Sequence, residues 1–297
     1  MRLIAYGPAG QEKPGILLSP NQALCLWGAS QQKWLCLRDI FEADPNFEQL
    51  RAWQAHPPRE HLFAAKQVRM GPPITNPTKI IGVGLNYRSH AEEQNKPIPK
   101  HPLLFCKAST SLAGHQDPIW IAEQEEHLDY EVELAIVIKK RCIRIQPEDW
   151  QEVVAGYMIF NDISARDAQR ADQKWFRAKS FDTTSPCGPI LVTADQIPTP
   201  EDLFLQSTVN DEIRQQGRTS DLIFSIGELL SFCSRNMTLV PGDILTTGTP
   251  CGVGIHRRPP RCLQHGDRVT ASIEGLGMLS NTLEHRPAQA MSVYPHP

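Results

Sequence analysis

Acidic side chains are concentrated in residues 123–138, a segment with no lysine or arginine. Its six carboxylates are Glu123, Glu125, Glu126, Asp129, Glu131 and Glu133. If the segment ends in a strand, Glu131 and Glu133 share a face, because strand side chains alternate. Neighbouring carboxylates on a buried strand repel each other unless a cation compensates them, and carboxylate oxygens suit Mg²⁺ or Ca²⁺ better than Zn²⁺. The alternative is an edge strand that carries two solvated glutamates.

A third acid, Asp162, stands where a predicted buried strand ends and a helix begins. It follows the apolar residues 156–160 and precedes a helix expected from Ser164. On that helix Arg166 and Gln169 are three residues apart, so they share a face that could hold a substrate carboxylate by charge-assisted hydrogen bonds. An internal salt bridge is the other interpretation of Arg166.

His90 and Glu93 have the spacing of a histidine and its orienting carboxylate on one helical face. Such a carboxylate can orient the imidazole and stabilise its protonated form, as a general base requires. Ser89 and Glu92 predict a capping box, which explains Glu92 and leaves Glu93 without a structural role. A surface His–Glu pair that takes no part in catalysis is the alternative.

A loop rich in threonine and glycine follows the predicted strand 243–245. Residues 246–254 read TTGTPCGVG, and this pattern, TGxxxGxG, also occurs in nucleotide-binding dehydrogenases. That interpretation requires a helix directly after the loop, whereas Pro259 and Pro260 follow closely. Free N–H and hydroxyl donors in the loop could instead bind a carboxylate.

Short apolar runs predict the strands that position these residues. The predicted strands are 79–85, 103–107, 130–138, 156–160, 189–192, 205–209, 243–245 and 268–273. Asn210-Asp211 suits a tight hairpin turn. Ser225 and Glu228 form a capping box at the start of the clearest predicted helix, 225–234.

The order of these elements predicts two regions along the chain. Residues 1–75 consist of short apolar pieces separated by polar clusters, and they end in a proline-bearing stretch. They predict a small N-terminal domain. Residues 76–297 then form the catalytic domain.

The composition favours a folded, turn-rich protein and excludes several classes of function. The chain has 297 residues, 30 Lys plus Arg against 33 Asp plus Glu, a formal net charge of −3, 25 prolines and 19 glycines. The charge balance argues against nucleic-acid and membrane partners, and no apolar run could span a bilayer. Since the first 15 residues do not resemble a secretory signal, the eight cysteines are expected to be reduced and mostly buried.

Five ordered segments resemble the fumarylacetoacetate hydrolase (FAH) superfamily. They are residues 84–93, DYEVELAIVI (129–138), NDISARDAQ (161–169), WFRAKSFD (175–182) and TTGTPCGVG (246–254). The match covers about residues 78–283. Two further segments, EQNKPIPK (93–100) and GIHRRPP (254–260), look most similar to the family branch called FAH domain-containing protein 2. The resemblance implies an α+β, β-rich fold, a mixed β-roll or sandwich with short peripheral helices behind a small N-terminal domain, and usually a homodimer.

The resemblance also implies a role for nine residues. The implied metal ligands are Glu131, Glu133 and Asp162; the implied catalytic residues are His90, Glu93 and Lys179; the implied substrate contacts are Arg166, Gln169 and Thr249. The metal is generally Mg²⁺ and sometimes Mn²⁺ or Ca²⁺. His90 with Glu93 would activate water or move protons, and Lys179 would stabilise an oxyanion or enolate.

These roles imply a Mg²⁺-dependent enzyme that acts on a small 2-oxo carboxylate, β-diketo or oxaloacetate-like, through an enolate at the metal. Water activation would give C–C bond hydrolysis of an acylpyruvate-type substrate, which is the leading expectation. Proton transfer alone would give keto–enol tautomerisation or isomerisation of oxaloacetate, and loss of CO₂ would give decarboxylation. A non-catalytic small-molecule-binding protein is a remoter alternative. The expected compartment is the cytoplasm, or the mitochondrial matrix if a transit peptide is missing from this sequence.

Overall fold

The computed structural model describes residues 1–122 and 125–286, so Glu123 of the acidic segment lies outside the described residues. The strands within these two ranges are β1 (Arg2–Tyr6), β2 (Lys13–Ser19), β3 (Gln22–Cys25), β4 (Leu62–Ala64), β5 (Met70–Gly71), β6 (Ile80–Gly84), β7 (Leu103–Lys107), β8 (Leu112–Ala113), β9 (Ile119–Ile121), β10 (Leu128–Asp129), β11 (Val132–Ile138), β12 (Val154–Asn161), β13 (Ser164–Ala165), β14 (Ser185–Pro186), β15 (Leu191–Thr193), β16 (Phe204–Val209), β17 (Glu212–Arg218), β18 (Ile244–Thr246), β19 (Arg268–Ile273) and β20 (Gly277–His285).

The helices are short and lie between the strands. The α-helices are α1 (Leu26–Ala29), α2 (Leu37–Ala43), α3 (Glu48–Ala55), α4 (Arg88–Glu93), α5 (Arg166–Asp172) and α6 (Ile226–Ser234). Turns of 3₁₀ helix cover Arg59–His61, Ala65–Gln67, Ser109–Ser111, Pro147–Glu152, Arg177–Lys179, Ala194–Gln196, Thr219–Asp221 and Gly254–His256. In the described ranges no helix has the length and apolar character needed to cross a membrane.

A large mixed sheet forms the centre of the molecule. Its strand order is β4-β3-β2-β1-β15-β12-β11-β18-β6-β7, and β5 also pairs with β1. A second sheet has the order β17-β16-β19-β20-β9. This arrangement confirms the predicted β-rich α+β fold with short helices.

The central strands are buried because both of their faces are covered. Every residue of β11 and β12 is buried, as expected for near-continuous apolar runs such as VELAIVI. Leu134 and Ile136 pack into a core that includes Leu205 of the second sheet. Ala135 and Val137 point the other way, into a core with the N-terminal strands and helices. The strands that flank the acidic residues are therefore held rigidly from both sides.

Most of the predicted elements are present, with ends shifted by a few residues. The predicted strand 130–138 begins at Val132, and 189–192 becomes β15, Leu191–Thr193. Asn210 and Asp211 both have positive φ, 50° and 67°, and they join β16 to β17 as the predicted tight hairpin turn. The capping box at the start of α6 forms as predicted.

The predicted capping box of Ser89 and Glu92 is wrong. Helix α4 begins at Arg88, and its N-cap residue is Tyr87. The N–H and hydroxyl of Ser89 both donate to Asp221, at 3.0 and 2.6 Å. A carboxylate from a distant segment therefore binds the N–H and hydroxyl groups of Ser89 that the local pattern assigned to a cap.

Strands on the two sides of the predicted domain boundary at residue 75 are hydrogen-bonded to each other. Strand β1 pairs with β15 through Leu3 and Leu191, and the N-terminal residues share the core of Ala135 and Val137. The division into residues 1–75 and 76–297 stays a prediction.

The cysteines are free thiols, but the expectation that most are buried is wrong. Only Cys187 and Cys233 are fully buried, whereas Cys106 is exposed. Cys106 lies on β7, at the end of the large sheet, where one side of the strand lacks a neighbour.

Candidate active site

Two antiparallel strands bring the three predicted metal ligands together. Val132 at the start of β11 pairs with Asn161 at the end of β12, so the residue before one strand lies beside the residue after the other. The Asp162 N–H donates to the Glu131 carbonyl at 2.9 Å. As a result, carboxylate oxygens of Glu131, Glu133 and Asp162 lie within 4.8 Å of one another, and all three residues are buried. The spacing argument for a shared face is thereby confirmed, and the solvated edge strand is excluded.

Two buried lysines contact this carboxylate cluster. The Lys179 ammonium donates to Glu131 and to Asp162, each at 2.6 Å. Lys107 donates to the other oxygen of Asp162 at 2.6 Å and to the Thr184 carbonyl at 3.0 Å. Lys179 was predicted from sequence, whereas Lys107, the last residue of β7, was not predicted as a site residue. The sequence signal that could have identified Lys107 is its position as a lysine at the end of an apolar strand.

The pKa values of Glu131 and Glu133 shift in opposite directions, because Lys179 contacts Glu131 directly. Burial alone would raise the pKa of Glu131, but the charges of Lys179 and Arg166 outweigh burial and hold it well below its ordinary value. Burial, followed by repulsion from Asp162 and Glu131, raises the pKa of Glu133 to about 8. Glu133 accepts a hydrogen bond from the Gly248 N–H at 2.9 Å. The cluster therefore holds a proton at neutral pH where a further positive charge would fit.

The donor set fits a hard divalent cation. Three carboxylates from neighbouring strand ends offer oxygen ligands, and neither histidine nor cysteine belongs to this cluster. Oxygen-only sites of this kind suit Mg²⁺, Mn²⁺ or Ca²⁺. Burial, followed by repulsion from Asp162 and Glu131, raises the pKa of Glu133, and a cation bound here would relieve that repulsion. Glu131, Glu133 and Asp162 could therefore hold a metal ion.

We expect the affinity for Mg²⁺ to rise with pH. Below a pKa of about 8 the folded, metal-free protein keeps a proton on Glu133 that an unfolded chain would release above 4.5. That group therefore lowers stability as the pH rises through this interval. Because the ion must displace the proton, its apparent affinity should rise about tenfold per pH unit up to that value and then level off.

Calorimetry in buffers of different ionisation enthalpy would count the proton released on binding. About one proton should leave below the pKa of Glu133 and almost none above it. Glu133→Gln, which should bind Mg²⁺ weakly if at all, gives the background heat of adding the ion. An affinity that is independent of pH in the wild-type protein would contradict the expectation.

Arg166 is engaged in the internal salt bridge that the sequence left open. Its guanidinium donates to Asp129 at 3.0 and 2.9 Å and to Glu131 at 2.6 Å. A further N–H donates to the Gln169 side chain at 3.1 Å. Asp129 also accepts the N–H groups of Gly254 and Ile255. Arg166 therefore joins Asp129 to Glu131, and Asp129 in turn holds the backbone of residues 254–255. Substrate contacts by Arg166 and Gln169 stay predictions.

The threonine-glycine loop is attached to strand β11 rather than to a following helix. The Thr249 hydroxyl donates to the Val132 carbonyl at 2.9 Å and accepts from Gln215 at 2.7 Å. With Gly248 bonded to Glu133, the loop binds a carboxylate of the protein itself. Residues 254–256 form only a turn of 3₁₀ helix, in agreement with the rejection of a dinucleotide-binding loop. Thr249 as a substrate contact stays a prediction.

Helix α4 brings His90 and Glu93 into contact. The His90 Nδ1 atom lies 3.0 Å from a Glu93 carboxylate oxygen, and the other oxygen accepts the Gly252 N–H at 2.8 Å. His90 is buried, with 7% of its surface exposed. Such low exposure excludes a loose pair on the protein surface. The loop 246–254 holds the Glu93 carboxylate, which in turn orients the imidazole.

Most of these groups line one pocket of about 250 Å³, whereas Glu93, Lys107 and Asp162 are not part of its wall. Its walls include His90, Glu131, Glu133, Lys179, Arg166, Gln169 and Thr249, together with Gln94, Lys96, Phe105, Arg170, Trp175 and His256, which were not predicted. Phe105 and Trp175 pack edge to face at 5.3 Å, and a Cβ atom on Gly84 would lie 2.2 Å from Trp175. The pocket suits a small polar molecule with an apolar side.

The fold and the pocket together define a β-rich enzyme with a carboxylate cluster able to hold a metal ion, beside a histidine and two lysines. Residues 79–284 match the family described as fumarylacetoacetate (FAA) hydrolase, C-terminal. The chain belongs to the fumarylacetoacetate hydrolase family.

Curated relatives and a solved structure agree with this assignment. The chain is 42% identical over 224 residues to the oxaloacetate tautomerase fahd2, mitochondrial, of Xenopus laevis, covering 75% of this chain and 70% of that protein. It is 44% identical over 242 residues to the oxaloacetate tautomerase YisK of Bacillus subtilis, covering 79% and 80%. The fumarylacetoacetate hydrolase structure from Exiguobacterium antarcticum has a TM-score of 0.82 and 34% identity, covering 96% and 100%. The predicted resemblance to domain-containing protein 2 is confirmed.

Proposed function

We propose that the protein is a divalent-metal-dependent enzyme that interconverts the keto and enol forms of oxaloacetate. The observation that carries this proposal is the identity of 42% and 44% to two proteins named oxaloacetate tautomerases, over most of this chain. The sequence alone favours acylpyruvate hydrolysis and keeps tautomerisation as an alternative. The names of these relatives reverse that order in our proposal. Decarboxylation needs the same enolate and ranks below both.

The acidic cluster is the proposed metal site. Glu131, Glu133 and Asp162 would hold Mg²⁺, with Mn²⁺ or Ca²⁺ as alternatives, and the ion would supply Lewis-acid stabilisation of charge on the substrate's 2-oxo group. Lys179 gives two of its three N–H donors to Glu131 and Asp162. Its third donor is left for a substrate oxygen, so Lys179 adds positive charge where the enolate oxygen forms.

His90 is the proposed proton carrier. In the keto form, the C3–H bond breaks, its electrons move toward the 2-oxo oxygen, and the proton passes to the imidazole. If the imidazolium returns its proton to C3, the keto form is restored; if it gives the proton to the 2-oxo oxygen, the enol forms and neutral His90 is regenerated. Glu93 holds the ring from one side at 3.0 Å and stabilises the imidazolium that forms. The reaction therefore needs no water in the pocket.

A substrate panel would test the proposed function. Oxaloacetate tautomerisation can be followed by the loss of enol absorbance. Cleavage of acetylpyruvate and fumarylpyruvate reports hydrolysis, and release of pyruvate from oxaloacetate reports decarboxylation. We expect acceleration of tautomerisation that disappears after EDTA treatment and returns with Mg²⁺. Turnover that persists unchanged in EDTA would refute the metal requirement, and hydrolysis faster than tautomerisation would reverse the ranking.

Glu93→Gln and Glu92→Gln form a matched pair that tests the dyad. Glu93 contacts His90, whereas Glu92 is exposed on the same helix. We expect Glu93→Gln and His90→Ala to lower turnover by about a hundredfold or more, the usual share of a general base. Glu92→Gln should behave like the wild type. Steady-state kinetics with oxalate binding as a control would decide, since an equal loss of oxalate affinity would indicate a structural role for the dyad.

A homodimer is the proposed assembly. Strand β7 ends the large sheet, and its Leu103 and Leu104 are 40% and 37% exposed. Ile98, a few residues earlier, is 56% exposed. Apolar groups at a sheet edge favour contact with another chain. Light scattering after size-exclusion chromatography would report the mass, and Leu104→Lys should shift it toward the monomer. The cytoplasm is the proposed compartment, with the mitochondrial matrix as the alternative; of the two relatives described above, one is named mitochondrial and the other is from a bacterium.

A further inference from the structure

A second side chain contacts His90, on the opposite side from Glu93. The amide nitrogen of Gln94 lies 2.7 Å from His90 Nε2, and a Glu93 oxygen lies 3.0 Å from Nδ1. Residues three and four positions after a histidine both lie on its helical face. Both ring nitrogens of His90 are therefore bonded within the protein, by adjacent residues at the end of helix α4.

The two contacts fix which ring nitrogen carries the proton. A glutamine NH₂ group can only donate, so His90 Nε2 must accept with its lone pair. The ring proton then lies on Nδ1 and is donated to Glu93. Glu93 is itself held by the Gly252 N–H at 2.8 Å. The basic nitrogen of His90 is thus Nε2, and the amide of Gln94 occupies the position directly in front of it.

This position is where the two competing reactions differ. Tautomerisation needs only the C3–H group of the substrate at Nε2, so the substrate can displace the amide one for one. Hydrolysis of an acylpyruvate needs a water molecule at Nε2 as well as the substrate beside it. The water gives a proton to Nε2, and its oxygen bonds to the distal carbonyl carbon. The C–C bond then breaks, and the proton passes from Nε2 to the leaving carbon. The Gln94 amide, a wall of the pocket of about 250 Å³, lies 2.7 Å from Nε2, in the position that this water would need.

We propose that Gln94 is a positioning residue that makes this site a tautomerase rather than a C–C hydrolase, by holding His90 Nε2 as an acceptor and occupying the place of the hydrolytic water. The inference rests on the proposed function, since it concerns the choice between two reactions of the same site. Gln94 acts through His90 and has no other role in the proposed chemistry.

Two variants of Gln94 would test the proposal in the Mg²⁺-loaded protein. Gln94→Ala removes the amide and opens space at Nε2, so the ratio of acetylpyruvate hydrolysis to oxaloacetate tautomerisation should rise about tenfold or more. Gln94→Met fills the same volume without a donor, so it should lose the hydrogen bond while the ratio stays close to that of the wild type. An unchanged ratio in Gln94→Ala would overturn the proposal, as would the same rise in both variants.

Nitrogen NMR of ¹⁵N-histidine-labelled protein gives a readout that does not depend on activity. In the wild type, His90 should show a protonated Nδ1 and a hydrogen-bonded, unprotonated Nε2, and Gln94→Met should shift the Nε2 resonance. A proton on Nε2 in the wild type would refute the assignment of Gln94 as donor. If the wild type turned over neither substrate, the proposed function would fail, yet this spectrum would still decide the hydrogen bond.

Discussion

Glu133→Gln should remove metal-dependent activity without destabilising the metal-free protein. Glu133 is buried, and burial with repulsion from Asp162 and Glu131 raises its pKa to about 8. At neutral pH the metal-free protein already holds a neutral side chain there, which glutamine imitates. A neutral amide is a weaker ligand for a hard cation, so we expect turnover to fall by about a thousandfold.

Asp162→Asn is the contrasting change at the same site. Asp162 contacts both Lys107 and Lys179 at 2.6 Å, and its loss leaves two buried ammonium groups without their shared partner. We expect the same loss of turnover together with a loss of about 3–5 kcal/mol of stability. Urea unfolding in EDTA would separate the two variants, and Mg²⁺ should raise the Tm of the wild type but of neither variant. Equal destabilisation by both substitutions would contradict the assigned charge states.

Lys179→Met should impair both the chemistry and the metal-free fold. The lysine carries the charge that keeps the pKa of Glu131 low and that contacts Asp162. Although burial disfavours its charged form, the neighbouring carboxylates outweigh burial and raise the pKa of Lys179 above its ordinary value. Without this ammonium, turnover should fall by about a hundredfold to a thousandfold, the usual cost of losing one donor at a developing oxyanion.

Magnesium should partly restore the stability of Lys179→Met, because the ion replaces the missing positive charge between Glu131 and Asp162. We expect a loss of about 3–5 kcal/mol in EDTA and a larger Mg²⁺-induced rise in Tm than in the wild type. Arg170→Met is the control, since Arg170 lines the same pocket but pairs with Asp167 on the surface. A Tm of Lys179→Met that did not respond to Mg²⁺ would contradict the metal site.

Local patterns in the sequence predicted the acidic half of the site well. The two-residue spacing of Glu131 and Glu133 on an apolar strand was enough to infer a shared face. Asp162 could be inferred because it ends the next apolar run. Strand pairing then places the start of one strand beside the end of the other, which the antiparallel order of β11 and β12 shows.

Contacts between distant segments could not be predicted in the same way. Lys107 reaches Asp162 across 55 positions, and Asp221 reaches Ser89 across 132, which is why the local capping box failed. Gln94 is a different case. Its spacing from His90 was visible, but a glutamine after a glutamate carries no chemical signal until the pocket around it is known.

The complete burial of β11 and β12 has a further consequence, for how the site would meet its metal ion. Glu131, Glu133 and Asp162 lie on or next to strands that packing fixes on both faces, so the proposed ligands would be arranged before an ion arrives. Binding then costs little conformational entropy. The loss of a proton from Glu133 and the loss of water from the ion, rather than any folding of the chain around the metal, would then limit how tightly this protein holds it.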